Sequence, residues 1–146
     1  RRMTLIKTLD KKKYFDDYAH HPTEIKASLK ALRDLSSRRI ITVVQPHRFS
    51  RIKQTFDKFS KSFKNSDFVI ILPVYSAGEK KIKNINASSL AKSIQKNSKT
   101  KTLAFKDFKK VEDFLNDEVK EGETVIFMGA GNISNLANNY VNTLGK

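Results

Sequence analysis

Acidic, histidine and aromatic side chains are concentrated between Asp16 and Glu24, where the sequence reads DDYAHHPTE. The residues before this stretch have the pattern of a strand, and the apolar residues after it recur at helical spacing (Ile25, Leu29 and Leu32). Because successive strand residues point to opposite faces, at most one of Asp16 and Asp17 can face the core. A helix N-terminus favours negative charge, so we expect an anionic ligand beside this junction.

The stretch QPHRFSR, from Gln45 to Arg51, follows the next predicted strand. Arg48 and Arg51 lie three residues apart at a predicted helix start. They can therefore share a face and bind a carboxylate or phosphate through their planar guanidinium groups. Two cations at the positive end of a helix are unfavourable without an anion. An anion site and a pair of solvated arginines are equally open interpretations.

Two later loops also follow predicted strands. Tyr75 and Glu79, in the segment PVYSAGE, either line a cleft or serve only to turn the chain. Gly129 and Gly131 follow a buried strand and allow the backbone to approach a ligand at a helix N-terminus. No G-x-x-x-x-G-K-[ST] loop occurs in the sequence, so these residues alone lack the usual means of cradling ATP phosphates.

Strand and helix patterns alternate along the chain and must position these residues. The predicted strands cover about residues 3–9, 13–17, 39–44, 68–72, 102–105 and 124–128, and the predicted helices about 22–35, 52–63, 90–94, 108–115 and 133–144. This order predicts an α/β fold: a three-layer, mostly parallel, doubly wound, Rossmann-like sheet with helices on both faces. The polar stretches should then meet at the carboxyl edge of the sheet, and the tail from Asn138 onward should fray.

Composition limits the classes of protein to which the chain can belong. Its 146 residues fit one domain, and the lack of cysteine with only three histidines indicates no metal site. No run is apolar enough to span a bilayer and no signal-like segment is present, so we expect a soluble, cytoplasmic protein. The net charge of +14 invites a nucleic-acid interpretation, although most of the lysines fall on predicted surfaces.

Four segments in register closely resemble the carboxy-terminal domain of the Mur ligases. They are DDYAHHPTEI from Asp16, QPHRFSR from Gln45, VYSAGE from Val74 and MGAGNI from Met128. The resemblance covers essentially residues 1–146, with residues 1–13 as an entry segment and first strand. It implies that the family's amino-terminal UDP-sugar domain and central ATPase domain are absent from this sequence.

The resemblance implies an ATP-dependent, magnesium-assisted ligase of peptidoglycan synthesis. In such an enzyme the lactyl carboxylate of UDP-N-acetylmuramate becomes an acyl phosphate, which the amine of L-alanine attacks. The implied partners are L-alanine, ATP, UDP-N-acetylmuramate and the enzyme's own other two domains, with no nucleic-acid or membrane partner. ATP and magnesium would be bound mainly by the central domain, so the 146-residue chain alone is expected to be inactive.

Residue roles also follow from the resemblance. His21 and His47 are the implied catalytic residues, and Asp17 with Arg1 or Arg2 would contact the ribose side of ATP. The implied substrate-binding residues are Arg48, Arg51, Tyr75, Glu79, Gly129 and Gly131.

Three alternatives remain open at this point. A sibling ligase that adds a recycled peptide to the same sugar shares the DD-x-x-HHP pattern, although the segments from Gln45 and Tyr75 favour the alanine-adding enzyme. A basic nucleic-acid-binding domain would also account for the charge. A catalytically idle module could use the same fold, because a fold does not fix a function.

Overall fold

The computed structural model describes residues 3–145, within which six strands form one sheet. The strands are β1 (Thr4–Leu9), β2 (Lys12–Asp17), β3 (Ile40–Val44), β4 (Phe68–Ile71), β5 (Lys101–Ala104) and β6 (Thr124–Met128). The helices are α1 (Pro22–Leu35), α2 (Phe49–Gln54), α3 (Phe56–Ser60), α4 (Ala87–Ser98), α5 (Phe108–Glu118) and α6 (Ile133–Thr143).

The strand order is β1-β2-β6-β3-β4-β5, and only β1 runs antiparallel to its neighbour. β1 and β2 form a hairpin whose turn residues, Asp10 and Lys11, both have positive φ angles (51° and 64°), as a tight hairpin turn requires. The last strand, β6, lies between β2 and β3, with Met128 opposite both Asp17 and Val44. Residues distant in sequence therefore meet at the carboxyl edge of the sheet.

Helices cover both faces of the sheet, which confirms the predicted three-layer α/β fold. Neighbouring residues of β3 show the division, because Ile40 and Val44 join the core cluster under α1 to α4 while Ile41 and Val43 join the cluster under α5 and α6. Burial on both faces explains why the parallel strands read as continuous apolar runs. Helices α1 and α6 follow adjacent strands but pack on opposite faces of the sheet, which opens a crevice between them.

The single helix predicted over residues 52–63 is wrong, because the chain forms two short helices there. Thr55 interrupts the helix with φ −113° and ψ 19°, and its hydroxyl donates to the Arg51 carbonyl at 2.9 Å. Farther on, the Phe63 N–H donates to the Ser98 hydroxyl at 3.1 Å and not to a helical carbonyl. The predicted apolar stripe is nevertheless buried, since Phe59 and Phe63 are both fully inaccessible to solvent.

The fraying predicted from Asn138 onward is also wrong, because α6 continues to Thr143. Tyr140 and Val141 are only 5% and 0% exposed, and the Tyr140 hydroxyl donates to Asn116 Oδ1 at 2.7 Å. Burial raises the pKa of Tyr140 above its usual range. Packing against the sheet thus holds a segment whose sequence alone is a poor helix former. Within residues 3–145, no helix is both long and apolar enough to cross a membrane.

Candidate functional site

The four polar stretches singled out in the sequence meet at the carboxyl ends of β2, β6, β3 and β4. Their most regular feature is a row of four rings formed by Tyr18, His20, His47 and Tyr75. Successive ring centroids are 5.5, 5.6 and 5.5 Å apart, and the last two rings are stacked at 8°. The row runs from the segment between β2 and α1 to the loop after β4.

Backbone pairing just beyond β3 and β4 holds the stacked pair in place. The Arg48 N–H donates to the Tyr75 carbonyl and the Tyr75 N–H donates to the Pro46 carbonyl, both at 2.8 Å. This pair of bonds makes His47 and Tyr75 partners in an isolated parallel bridge. The position of the imidazole is therefore set by main-chain geometry.

His21 occupies a different position from His20. His21 is the N-cap of α1, where its exposed ring accepts a bond from the Thr23 N–H at 3.5 Å. Glu24 accepts from the N–H groups of both histidines, and although burial opposes ionisation, these bonds lower the pKa of Glu24. His20 donates its Nδ1–H to the Tyr18 carbonyl at 3.0 Å and turns its ring toward His47. Sequence reasoning selected His21 and missed His20, since adjacent identical residues carry no spacing signal.

The two aspartates at the end of β2 face opposite sides, as strand alternation predicts. Asp16 Oδ2 accepts a bond from the Ser134 hydroxyl of α6 at 2.5 Å. Asp17 is 1% exposed, and its Oδ1 accepts from the Ala19 N–H at 2.9 Å. Its other oxygen, Oδ2, has no hydrogen-bond partner in residues 3–145. A buried carboxylate oxygen without a partner is costly, so Asp17 is ready to accept a ligand hydroxyl or N–H.

His47 is held in its neutral form. Burial lowers its pKa first, and the neighbouring charges of His20, Arg48 and Arg51 lower it further, against a smaller opposing effect of Glu79. Its Nδ1 is buried without a hydrogen-bond partner among the described residues. Arg48 and Arg51 follow His47 by one and four residues in the same segment. A neutral nitrogen beside two guanidinium groups can accept a proton from a ligand bound by those cations.

The start of α2 already holds an internal anion, which changes the expectation of a ligand there. Glu79 accepts from the N–H and hydroxyl of Ser50 at 3.0 and 2.6 Å. Those bonds, and the Arg48 guanidinium 3.9 Å away, lower the pKa of Glu79. Glu79 therefore fixes the segment that presents the arginines. The backbone of Arg48 has φ 70° and ψ 121°, a conformation that residues other than glycine rarely adopt.

Neighbouring protein atoms approach closely to Gly129 and Gly131, the two glycines after β6. A Cβ on Gly131 would lie 2.7 Å from Gln45 Oε1 and 2.7 Å from Cγ of Tyr75, and one on Gly129 would lie 2.8 Å from Ile133 Cγ2. Gln45 is 7% exposed, and its amide donates to Asn132 Oδ1 at 2.7 Å, while its own Oε1 is buried without a described partner. Sequence reasoning did not select Gln45, which joins β3 to the β6–α6 turn.

Acid should destabilise the domain through His47. Its folded-state pKa lies below the ordinary value near 6.5, so the unfolded chain binds more protons as the pH falls. The stability due to neutral His47 is therefore complete above about pH 6.5 and is lost as the pH falls toward the folded pKa. We expect the free energy of unfolding, measured by urea titration between about pH 7.5 and 5.5, to fall less in His47→Gln than in the wild type. Equal pH slopes in the two proteins would contradict the assignment.

Two further predicted features concern residues or ions at the margin of this site. Arg1 and Arg2 lie outside the residues that the structure describes. Within residues 3–145, no group of three or more His, Asp or Glu side chains lies close enough together to hold a metal ion.

Comparison with solved structures supports the fold. A murein peptide ligase from Psychrobacter arcticus matches with a TM-score of 0.78 at 20% identity, over 100% of this chain and 30% of that one. A UDP-N-acetylmuramate–alanine ligase from Thermotoga maritima matches with a TM-score of 0.69 at 24% identity, over 90% of this chain and 26% of that one. At these identities the matches show a shared fold alone.

Comparison of sequences is more specific. The chain is 45% identical to the UDP-N-acetylmuramate–L-alanine ligase of Fusobacterium nucleatum subsp. nucleatum, over 88% of this chain and 27% of the relative. It is 40% identical to the enzyme of the same name from Chelativorans sp., over 94% of this chain and 30% of the relative. The chain thus spans less than a third of the length of these relatives. The family model for the Mur ligase glutamate ligase domain matches residues 1–131. By that match, and by identities of this size over most of its length, the chain belongs to the Mur ligase family.

Proposed function

We propose that the chain is the carboxy-terminal domain of an ATP-dependent ligase that joins L-alanine to UDP-N-acetylmuramate. In this proposal the sugar's carboxylate is activated as an acyl phosphate, and the amine of L-alanine attacks it. The new amide bond replaces the bond between the acyl carbon and phosphate, which leaves as inorganic phosphate. We expect the reaction to take place in the cytoplasm, where ATP and UDP-sugars are available.

One arrangement carries the proposal: His47, whose pKa is lowered by burial, shares the segment after β3 with the cations Arg48 and Arg51, at the carboxyl edge of the sheet. An α-amino acid has complementary groups, because its carboxylate suits a guanidinium fork and its ammonium must lose a proton before it can attack. His47 is the group that accepts this proton in the proposal. His21, the N-cap of α1, is the second catalytic residue of the proposal, and Tyr75 positions the His47 imidazole.

The nucleotide side of the proposal rests on Asp17. Its free Oδ2 supplies an acceptor at the end of β2, which suits a ribose hydroxyl in the way that acidic residues at strand ends commonly do. Arg1 or Arg2 would accompany it. Phosphate binding and magnesium are assigned to the rest of the full-length protein, since this sequence contains no phosphate-binding loop. The domain would act by closing over those parts.

Activity assays on two proteins test the proposal. The full-length protein should release phosphate only when ATP, UDP-N-acetylmuramate and L-alanine are all supplied, and the isolated 146-residue chain should release none. ATP-dependent ligation by the chain alone would refute the assignment of phosphate binding to the rest of the full-length protein. A full-length protein without a G-K-[ST] loop upstream would remove the basis for ATP chemistry.

The peptide-recycling sibling is the main alternative, because the murein peptide ligase of Psychrobacter arcticus shares the fold. The same assay separates the two functions when a tripeptide substrate replaces L-alanine. We expect L-alanine to be used, since eight curated relatives of 38–45% identity carry the name of the alanine-adding enzyme. Ligation of the tripeptide with no turnover of L-alanine would favour the sibling.

A further inference from the structure

Five exposed lysines gather at the edge of the sheet opposite the candidate site. This lysine cluster consists of Lys61, Lys64, Lys96, Lys99 and Lys101. Three of its members line a shallow depression of about 660 Å³ at the start of β5. Because the site lies at the carboxyl ends of the strands, the cluster plays no part in the ligase geometry described above.

Buried hydrogen bonds bring the two lysine-bearing segments together. The Thr100 hydroxyl donates to the Phe63 carbonyl at 3.1 Å, and the Ser98 hydroxyl donates to the Ser60 carbonyl at 2.7 Å. The turn after α3, which carries Lys61 and Lys64, is thereby fixed against the end of α4. The cluster is thus a defined part of the folded surface and does not depend on a flexible tail.

The positive charge of the cluster is not neutralised locally. Segments 58–66 and 92–106 contain no Asp or Glu, and no lysine of the cluster forms an ion pair within residues 3–145. The nearest acidic residue in sequence, Asp67, is already engaged by Arg33 and by the Ile40 N–H. The field of the cluster is therefore directed toward solvent, where it attracts a polyanion.

The composition of the cluster favours a lipid surface over a nucleic acid. Nucleic-acid readers rely on arginine forks and exposed aromatic rings, whereas this chain has no arginine after Arg51, and Phe59 and Phe63 are fully buried. Anionic headgroups require only a group of positive charges near the surface. Leu103, 38% exposed on the same edge strand as Lys101, adds an apolar contact. We propose that the lysine cluster is a docking surface for a bilayer that contains anionic phospholipid.

Vesicle sedimentation with the 146-residue chain tests this proposal. Binding to mixed phosphatidylglycerol–phosphatidylcholine vesicles is expected at about 50 mM salt and should be largely lost at about 300 mM. The triple variant Lys96→Gln, Lys99→Gln, Lys101→Gln should bind about 100-fold more weakly, since each lysine near an anionic surface contributes about fivefold. Circular dichroism melting verifies that the variant folds.

A second lysine group provides a control of equal charge. The triple variant Lys80→Gln, Lys81→Gln, Lys83→Gln removes three exposed lysines at the other edge of the sheet, and its binding should change less than about threefold. Equal losses of vesicle binding in the two triple variants would show that binding depends only on net charge, and would overturn the proposal. Absence of binding to the anionic vesicles, or tighter binding of single-stranded or duplex oligonucleotides at the same salt, would also overturn it.

Discussion

Arg48→Gly should make the domain more stable while it weakens binding of the amino-acid substrate. Arg48 adopts φ 70° and ψ 121°, a conformation that typically costs a residue with a side chain about 1–3 kcal/mol. Glycine has no Cβ and adopts this positive-φ conformation at lower cost, and the N–H that donates to the Tyr75 carbonyl is kept. The ion contact with Glu79, 3.9 Å long and exposed, contributes little. We expect a net gain of about 1 kcal/mol in the free energy of unfolding, after the greater chain entropy of glycine is allowed for.

The loss in binding should be larger than the gain in stability. Removing a charge-assisted contact to the substrate carboxylate should cost about 1.5–3 kcal/mol, which corresponds to a rise in the KM for L-alanine of about 10- to 150-fold. Arg51→Ala should raise the same KM without stabilising the domain, because Arg51 lies within α2 in ordinary helical geometry. Lys53→Ala, an exposed position on the same helix, is the matched control.

Urea denaturation of the chain and steady-state kinetics of the full-length enzyme measure these two effects separately. An unchanged KM in both arginine variants would remove them from the substrate site. A less stable Arg48→Gly domain would show that the guanidinium group contributes more to folding than its backbone conformation costs. Stability alone does not explain an arginine at a position with this backbone conformation.

Local sequence signals predicted the fold well where they acted within one element. Pro22 and Glu24 define the start of α1, and both have the expected roles in the structure. The apolar runs of β3, β4 and β6 required cover on both faces, which left few arrangements other than a doubly wound sheet. The alternation of Asp16 and Asp17 across the strand was likewise a consequence of local geometry.

The remaining features depend on contacts between distant elements. No local signal indicates that Thr55 divides one helix into two, because the apolar spacing continues through it. Gln45 was missed because its partner, Asn132, is 87 positions away. Glu79 was assigned to a substrate, whereas the structure shows it bound to Ser50, a pairing that depends on how two loops fold over the sheet. Hydrophobic periodicity predicts whether a residue is buried or exposed. It does not predict which polar group that residue contacts.

Gly131→Ala is expected to be the most disruptive small substitution in the site. The added Cβ would lie 2.7 Å from Gln45 Oε1 and 2.7 Å from Cγ of Tyr75, distances that real Cβ atoms do not tolerate. Gln45 is buried and bonded to Asn132, so it cannot move freely. Tyr75 is 38% exposed, so its ring is the group that moves, and the stack on His47 is lost. We expect a destabilisation of about 1–3 kcal/mol, as for other overpacking substitutions.

A double-mutant cycle identifies the cause of that loss. If the clash with the Tyr75 ring dominates, Gly131→Ala should cost at least about 0.5 kcal/mol less in a Tyr75→Ala background than in the wild type. Gly122→Ala is the control, because its penalty arises mainly from a positive φ of 84° at the opposite edge of the sheet, and it should add to Tyr75→Ala without coupling. Urea denaturation of the single and double variants gives the coupling energies. Strict additivity of Gly131→Ala with Tyr75→Ala would mean that the ring does not limit the turn, and that Gln45 alone determines how closely β6 and α6 approach β3.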